Sequence, residues 1–190
     1  MKQTDFAKVL TRFLSDYLPG QRNMSTNTIV SYRDTFKQLL AFCDQKLNIK
    51  PQHITFSKLK VAAIKDFLVW LEKSRGIGIN TRNQRLAAIK SFFRYTQSEC
   101  PEILFECQRI LGIPFKKRAI KTIDYLSYEC LKYILEEPDT ARKKGRRDLA
   151  IMATLYDSGA RVQELIYLKA ADVRLGSPAT ITLTGKADKR

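Results

Sequence analysis

A chain of 190 residues with 44% hydrophobic content is long enough for one ordinary domain or two small ones and can bury a core. Its 34 Lys and Arg against 19 Asp and Glu leave a net charge of +15, which points to a polyanionic partner. No apolar run approaches the roughly 20 residues that span a bilayer, and MKQTDFAKVL has no signal-peptide core, so the sequence predicts a cytoplasmic protein that partners nucleic acid and not membrane.

The first predicted helix covers residues 4–18. The second, 26–46, is clearer. In STNTIVSYRDTFKQLLAFC, Ile29, Tyr32, Phe36, Leu39, Leu40 and Cys43 fall on one stripe at helical spacing, Ser25 or Thr26 can cap the start, and Asn27, Ser31, Asp34 and Gln38 face the other way. A third helix, 61–74, carries Ile64, Phe67, Leu68 and Leu71 inward, with Trp70 at its edge, and the turn RGIGIN ends it. Asn80 or Thr81 opens a fourth, TRNQRLAAIKSFFRYTQ, whose inner stripe is Leu86, Ile89, Phe93 and Thr96. At about 100° per residue, Asn83, Lys90, Arg94 and Gln97 share a sector of roughly 60°, a polar and basic face on a helix otherwise committed to a core.

A short helix over 103–111 completes this unit, residues 1–111. The segment GIPFKKRAIKTI, 112–123, has a turn at each end of a basic run and little periodicity, and reads as a linker. The second unit, 124–190, carries predicted helices at 127–136, 146–157 and 161–169. In PATITLTGKADKR, Ala179, Ile181 and Leu183 then alternate with Thr180, Thr182 and Thr184, a half-buried strand entering a hairpin. No return strand follows within the 190 residues, and an isolated edge of that kind is poorly stable, so the sequence is expected to be the N-terminal fragment of a longer protein.

Metal chemistry is not expected. Cys43, Cys100, Cys107 and Cys130 show no CxxC pairing, and His53 is the single histidine, so ligands of the right spacing for zinc are missing. The thiols read as reduced and partly buried, and His53, in the turn-like PQHITF, as structural or surface.

The stretch DSGARVQEL, 157–165, raises a different question. A helix N-terminus carries partial positive charge, so Arg161 is unfavourably placed there unless something anionic shares the site. Alone, Arg161 and Glu164 are a surface pair worth a few tenths of a kcal/mol. In order along the chain, however, come a helix ending at Gly159, Arg161, the apolar LIYL, Asp172, and a strand leading to Gly185 and Lys186. That set resembles the first half of the catalytic domain of the tyrosine recombinases, the phage integrase and Xer family. There the arginine stands in a G-x-R-x-x-E-L context, matched by Gly159, Arg161, Glu164 and Leu165, and a hairpin lysine lies in a G-K-x-x-K-x-R-like turn, matched by Gly185, Lys186 and Lys189 with Arg190 one place nearer. Asn27, Thr28 and Tyr32 match the opening of the family's core-binding domain and TRNQRLAAIKSFFRYT its fourth helix, so the resemblance spans residues 4–190.

The resemblance implies a mainly α fold, a helical SAM-like core-binding domain joined to the truncated start of a mixed α+β catalytic domain. It implies a site-specific recombinase that cleaves and rejoins DNA through a 3′-phosphotyrosyl intermediate without metal or other cofactor. Arg161 would stabilise charge on the non-bridging phosphate oxygens, Lys186 would protonate the leaving 5′-oxygen, and Glu164 would support Arg161. The family's second arginine, its histidines and its nucleophilic tyrosine lie beyond the lysine hairpin, so the 190 residues are expected to bind DNA without cleaving it. Tyr156 and Tyr167, which flank Arg161, read as core packing. The DNA-contacting candidates are Arg82, Asn83, Lys90 and Arg94 on the fourth helix, Asn27, Ser31, Arg33 and Lys37 near the start of the second, and Lys116 and Lys117 in the linker. Asn83 and Arg94 suit adenine and guanine edges, and Lys90 suits phosphate. A tetramer on two double-stranded DNA sites is implied for the full-length protein, a monomer for this chain. Two other readings are a non-catalytic DNA-binding regulator with recombinase architecture and an all-helical protein-interaction module.

Overall fold

In the computed structural model, which describes residues 3–118 and 125–185, the chain divides into two units, Met1–Ile120 and Lys121–Arg190. Helix α1, Asp5–Arg12, starts where the Thr4 hydroxyl accepts the Ala7 amide. It continues into a π-helical stretch, Phe13–Gln21, that contains Pro19, so the helix expected over 4–18 changes pitch at Phe13. Helix α2, Thr26–Leu47, is capped by Ser25 and stops at Asn48 in the left-handed conformation, φ 54°, which asparagine tolerates. No side chain of its own segment caps α3, Val61–Lys73; the Glu106 carboxylate, from elsewhere in the unit, accepts the Val61 amide at 2.5 Å. Helix α4, Ile79–Glu99, begins after Gly78, slightly earlier than Asn80 or Thr81 predicts. A 3-10 turn, Pro101–Ile103, then leads into α5, Leu104–Leu111, which carries Glu106.

Helix α4 packs against α1, α2, α3 and α5 and is the axis of this unit. Leu86, Ile89, Phe93 and Thr96 are buried, as their periodicity predicts. So is Phe92, which lies outside that stripe and whose ring centroid is 5.1 Å from Phe36, 5.3 Å from Phe13 and Phe93, and 5.6 Å from Phe6. Trp70 is not an edge residue. It is 8% exposed, packed on Phe42 and Phe67 with the Arg75 guanidinium over its ring. Gln38, expected to face solvent, is half-buried, and its Oε1 is enclosed without a hydrogen-bond partner.

In the second unit, Ser127 caps α6, Tyr128–Glu136. Helix α7, Lys143–Ser158, starts ahead of the predicted 146 because the preceding loop folds tightly onto it. A Cβ at Gly145 would fall 1.9 Å from the Asp139 carbonyl oxygen, so only glycine fits, and Arg146 Nη1 donates to the carbonyls of Thr140 and Ala141 at 3.0 Å. Gly159 ends α7 at φ 63°. Helix α8, Val162–Ile166, is shorter than the predicted 161–169, giving way to a 3-10 turn at Ala170–Asp172. The strand expected around 179–184 is β2, Thr180–Ile181, and it pairs backwards with a strand the sequence did not reveal, β1, Val173–Arg174, antiparallel with Val173 opposite Ile181.

None of the described residues of this unit is buried. Tyr156 and Tyr167 are therefore surface side chains, contrary to the core packing expected of them: α7 meets α6 and α8, but those contacts leave both rings uncovered. No helix of the described residues is long and apolar enough to cross a membrane.

Candidate nucleic-acid interface

The basic face predicted on α4 is only partly open, because the chain turns back over it after α5. Ile113 inserts into the core, and the segment that follows lies along α4 as a strap. Asn83 grips its backbone twice: Nδ2 donates to the Lys116 carbonyl at 2.8 Å, and Oδ1 accepts the Lys116 amide at 3.1 Å. The Lys116 ammonium reaches both carboxylate oxygens of Glu72 on α3 at 2.8 Å. Phe115 lies beneath Lys90, whose ammonium is 4.7 Å from the ring centre, and burial, with Arg94 beside it, lowers the Lys90 pKa. The first residues of the expected linker are thus docked; its remainder, residues 119–123, lies outside those described.

Arg82, expected to contact DNA, is instead enclosed. It is 7% exposed, with Nη1 donating to Asn83 Oδ1 at 3.1 Å and to the Pro114 carbonyl at 3.4 Å. Its guanidinium holds the strap from the inside and does not face a partner, because position 82 lies on the flank of α4 that the strap covers. Asn83 and Lys116, likewise read as DNA contacts, have their polar atoms committed to that same strap.

On α2, Asn27 and Arg33 are exposed, and Lys37 is exposed with Asp34 3.9 Å away. Ser31 is half-buried, its hydroxyl accepting Gln84 Nε2 at 3.2 Å. Its carbonyl accepts Arg85 Nη1 at 2.9 Å, and the same nitrogen donates to Thr35 Oγ1 at 3.2 Å. Arg85, which sequence reading did not single out, is a strut between α2 and α4; its charge suggests a surface role, and nothing in the pattern signals the helix opposite it. Arg33, Lys37, Arg94, Lys117 and Arg118 remain as exposed cations of the first unit near these elements. Lys117 and Arg118 line a groove of about 460 Å³ with Asn80, Asn83, Phe115 and Lys116.

In the second unit, Arg161 is the N-cap residue of α8, in extended backbone at φ −74°, ψ 147°. Glu164 answers it twice: Oε2 accepts the Arg161 backbone amide and Oε1 accepts Nη1, both at 2.8 Å. The Arg161 side chain is 79% exposed and that of Glu164 only 13%. These contacts, the backbone amide foremost and the guanidinium next, hold the Glu164 pKa below its ordinary value. An arginine at a helix N-terminus is tolerated here because a carboxylate of the same first turn neutralises it. Lys186, Lys189 and Arg190 lie outside the described residues.

Cys43, Cys100 and Cys107 are buried, and burial pushes Cys43 and Cys107 up to about 11; Cys130 is exposed. Among the described residues no cluster of His, Cys, Asp and Glu could hold a metal ion. His53 is exposed, in a 3-10 turn at Pro51–His53.

Residues 10–99 match the family of the phage integrase N-terminal SAM-like domain. The chain is 37% identical over 188 residues to the Sinorhizobium fredii protein named integrase/recombinase y4rC, covering 99% of this chain and 57% of that one. It is 35% identical over 181 residues to that organism's integrase/recombinase y4rD, with 95% and 64% covered. It is 29% identical over 170 residues to tyrosine recombinase XerC of Pelotomaculum thermopropionicum, with 90% and 54% covered. A crystal structure of XerA recombinase aligns with a TM-score of 0.40 at 24% identity, over 96% of this chain and 56% of that one. The chain spans between 54% and 64% of the length of the three curated relatives. Residues 10–99 thus belong to the phage integrase N-terminal SAM-like domain family, and proteins named integrase/recombinase and tyrosine recombinase match nearly the whole chain.

Proposed function

We propose that this protein is a site-specific DNA recombinase of the phosphotyrosyl type, and that the 190 residues bind duplex DNA but do not cleave it by themselves. The observation that carries the reading is Arg161: an exposed guanidinium at a helix start, fixed from one side by Glu164. Phosphoryl transfer without metal needs a fixed cation at the non-bridging oxygens, and a planar fork of N–H donors suits it. Arg161 takes that role, Glu164 orients it, and Lys186 donates the proton to the leaving 5′-oxygen. No residue of these 190 is proposed as the nucleophile or the second arginine. His53 is the single histidine and is followed by Ile54, Thr55 and Phe56, so the 190 residues contain no H-x-x-R. The net charge of +15 and the exposed cations of the first unit supply the attraction to duplex DNA, which forms the partner, with a tetramer on two sites as the assembly of the complete recombinase in the cytoplasm.

The test uses the 190-residue chain on mixed-sequence duplex and on a nicked duplex that traps covalent intermediates. Binding is expected to weaken linearly in log salt, with a slope of about −0.9 per phosphate neutralised, and no denaturant-resistant protein to DNA adduct is expected. Salt-independent retention would remove the DNA-binding reading, and an adduct would show that a tyrosine within this chain is the nucleophile.

A further inference from the structure

Asn83 sits on the face that would meet DNA, yet both ends of its amide are occupied by the backbone of Lys116. Around that pair the strap is fixed at every step. Ile113 is buried, the Pro114 carbonyl accepts from Arg82, Phe115 lies under Lys90, and Lys116 is bound to both oxygens of Glu72. So much anchoring in four residues has a consequence for the two that follow. Lys117 and Arg118 leave from a defined point beside Asn80, and together these residues line one groove of about 460 Å³. Glu72 has already neutralised Lys116, so the charge this groove offers a ligand comes from Lys117 and Arg118.

We propose that Asn83 is a positioning residue and not a base reader: by pinning Lys116 it holds Lys117 and Arg118 in a groove with Asn80 that takes phosphodiester oxygens of duplex DNA. This rests on the DNA-binding reading above and adds to it a specific site and a reason for its rigidity. Two flexible cations lose side-chain and backbone freedom on binding phosphate, and an anchored exit from the strap removes part of that cost in advance. Amide hydrogen bonds from Asn83 are suited to the task because they fix backbone position, whereas the Lys116 to Glu72 ion pair fixes only a side chain.

The experiment is a thermodynamic cycle on the full 190-residue chain, with affinity for a mixed-sequence duplex read by fluorescence anisotropy across a salt series. Lys117→Ala/Arg118→Ala is expected to weaken binding about tenfold and to reduce the salt slope by about 2. Asn83→Ala is expected to weaken it about threefold, and the triple variant to remain about tenfold weaker than the parent, because Asn83 acts through the two cations. Alanine is the better helix former at position 83, so α4 should persist, and the unfolding transition reported by Trp70 checks that it does. Amide exchange at Lys116 should quicken in Asn83→Ala. Independent losses that multiply to about thirtyfold in the triple variant would mean that Asn83 meets DNA itself, and would overturn the proposal. Unchanged exchange at Lys116 would overturn it too. If the parent binds DNA but Lys117→Ala/Arg118→Ala binds equally well, the groove is not in the DNA path and the proposal fails while the functional reading stands. Should the parent not bind duplex at all, both fall.

Discussion

Phe92→Ala tests the packing on which the first unit depends. The Phe92 ring is fully buried, with four other phenylalanine rings centred between 5.1 and 5.6 Å away. Those neighbours come from α1, the π-helical stretch, α2 and α4 itself, so no single shift can close the space left by its removal. Phe→Ala in a core costs about 3–5 kcal/mol, and edge-to-face pairs add about 0.5–1.5 kcal/mol each beyond area burial, so the expected loss is about 4–5 kcal/mol. With a urea m value of about 2 kcal/mol/M, the midpoint should fall by about 2 M. Trp70 is the single tryptophan and lies in the core of this unit, so its fluorescence follows this unfolding transition and no other. Phe105→Ala, removing a ring that is 73% exposed, should leave the midpoint in place. A shift below about 0.5 M for Phe92→Ala at unchanged m would refute the reasoning, since a fully enclosed ring cannot be lost so cheaply.

Arg94→Ala should weaken duplex binding without moving the Trp70 transition, because Arg94 is exposed, whereas Arg82→Ala should lower the transition by about 1–3 kcal/mol through loss of the charged donor that holds the Pro114 carbonyl and of the packing around an enclosed side chain. Measuring both quantities for each variant separates the two arginines, and equal stability of the two variants would contradict the burial of Arg82. With Ellman's reagent at neutral pH, Cys130 should react quickly and the other three thiols only on unfolding, so fast titration of more than one thiol per native chain would refute the burial of Cys43, Cys100 and Cys107. Glu164 gives a pH dependence. Its carboxyl pKa is lower folded than unfolded, so its contact with Arg161 is fully present above the ordinary glutamate value of about 4.3 and is lost as the pH falls through the lower folded value. The Arg161 amide shift followed by NMR should report that step, and Glu164→Gln should abolish it.

Much of the first unit was legible because its helices repeat apolar residues at helical spacing: the stripes over Ile64 to Leu71 and Leu86 to Thr96 are buried. What escaped has a common cause. A single stripe describes a helix with one covered face, but α4 is covered by four other helices and by the strap, so Phe92 and Arg82 are enclosed as well. Trp70 was misplaced for the same reason on α3. The strap itself has no period to read. It is held by side chains of α3 and α4 acting on its backbone and on one lysine, contacts between residues more than thirty positions apart. In the second unit, β1 is two residues long, too short for alternation to show, and its partner was legible only because PATITLT alternates over a longer run.

For Arg161 the spacing was legible and the electrostatics were not. Position i and i+3 alone predicted a weak surface pair, yet the structure gives Glu164 two partners on one residue, the backbone amide and the guanidinium. The amide bond satisfies a donor that every helix start leaves open, so Glu164 stays in place whether or not the guanidinium is there. That makes Glu164 a fixed anchor from which the arginine is hung. A guanidinium has five N–H donors, of which one is used by Oε1, so four remain for the phosphate proposed to bind there, without breaking the pair. The carboxylate reduces the net charge a phosphate meets, but it also fixes the plane of the fork, and bidentate recognition depends on that plane more than on charge alone. Arg161→Lys would keep the charge and lose the plane, so in an intact recombinase its effect should fall on the rate of strand cleavage far more than on DNA affinity.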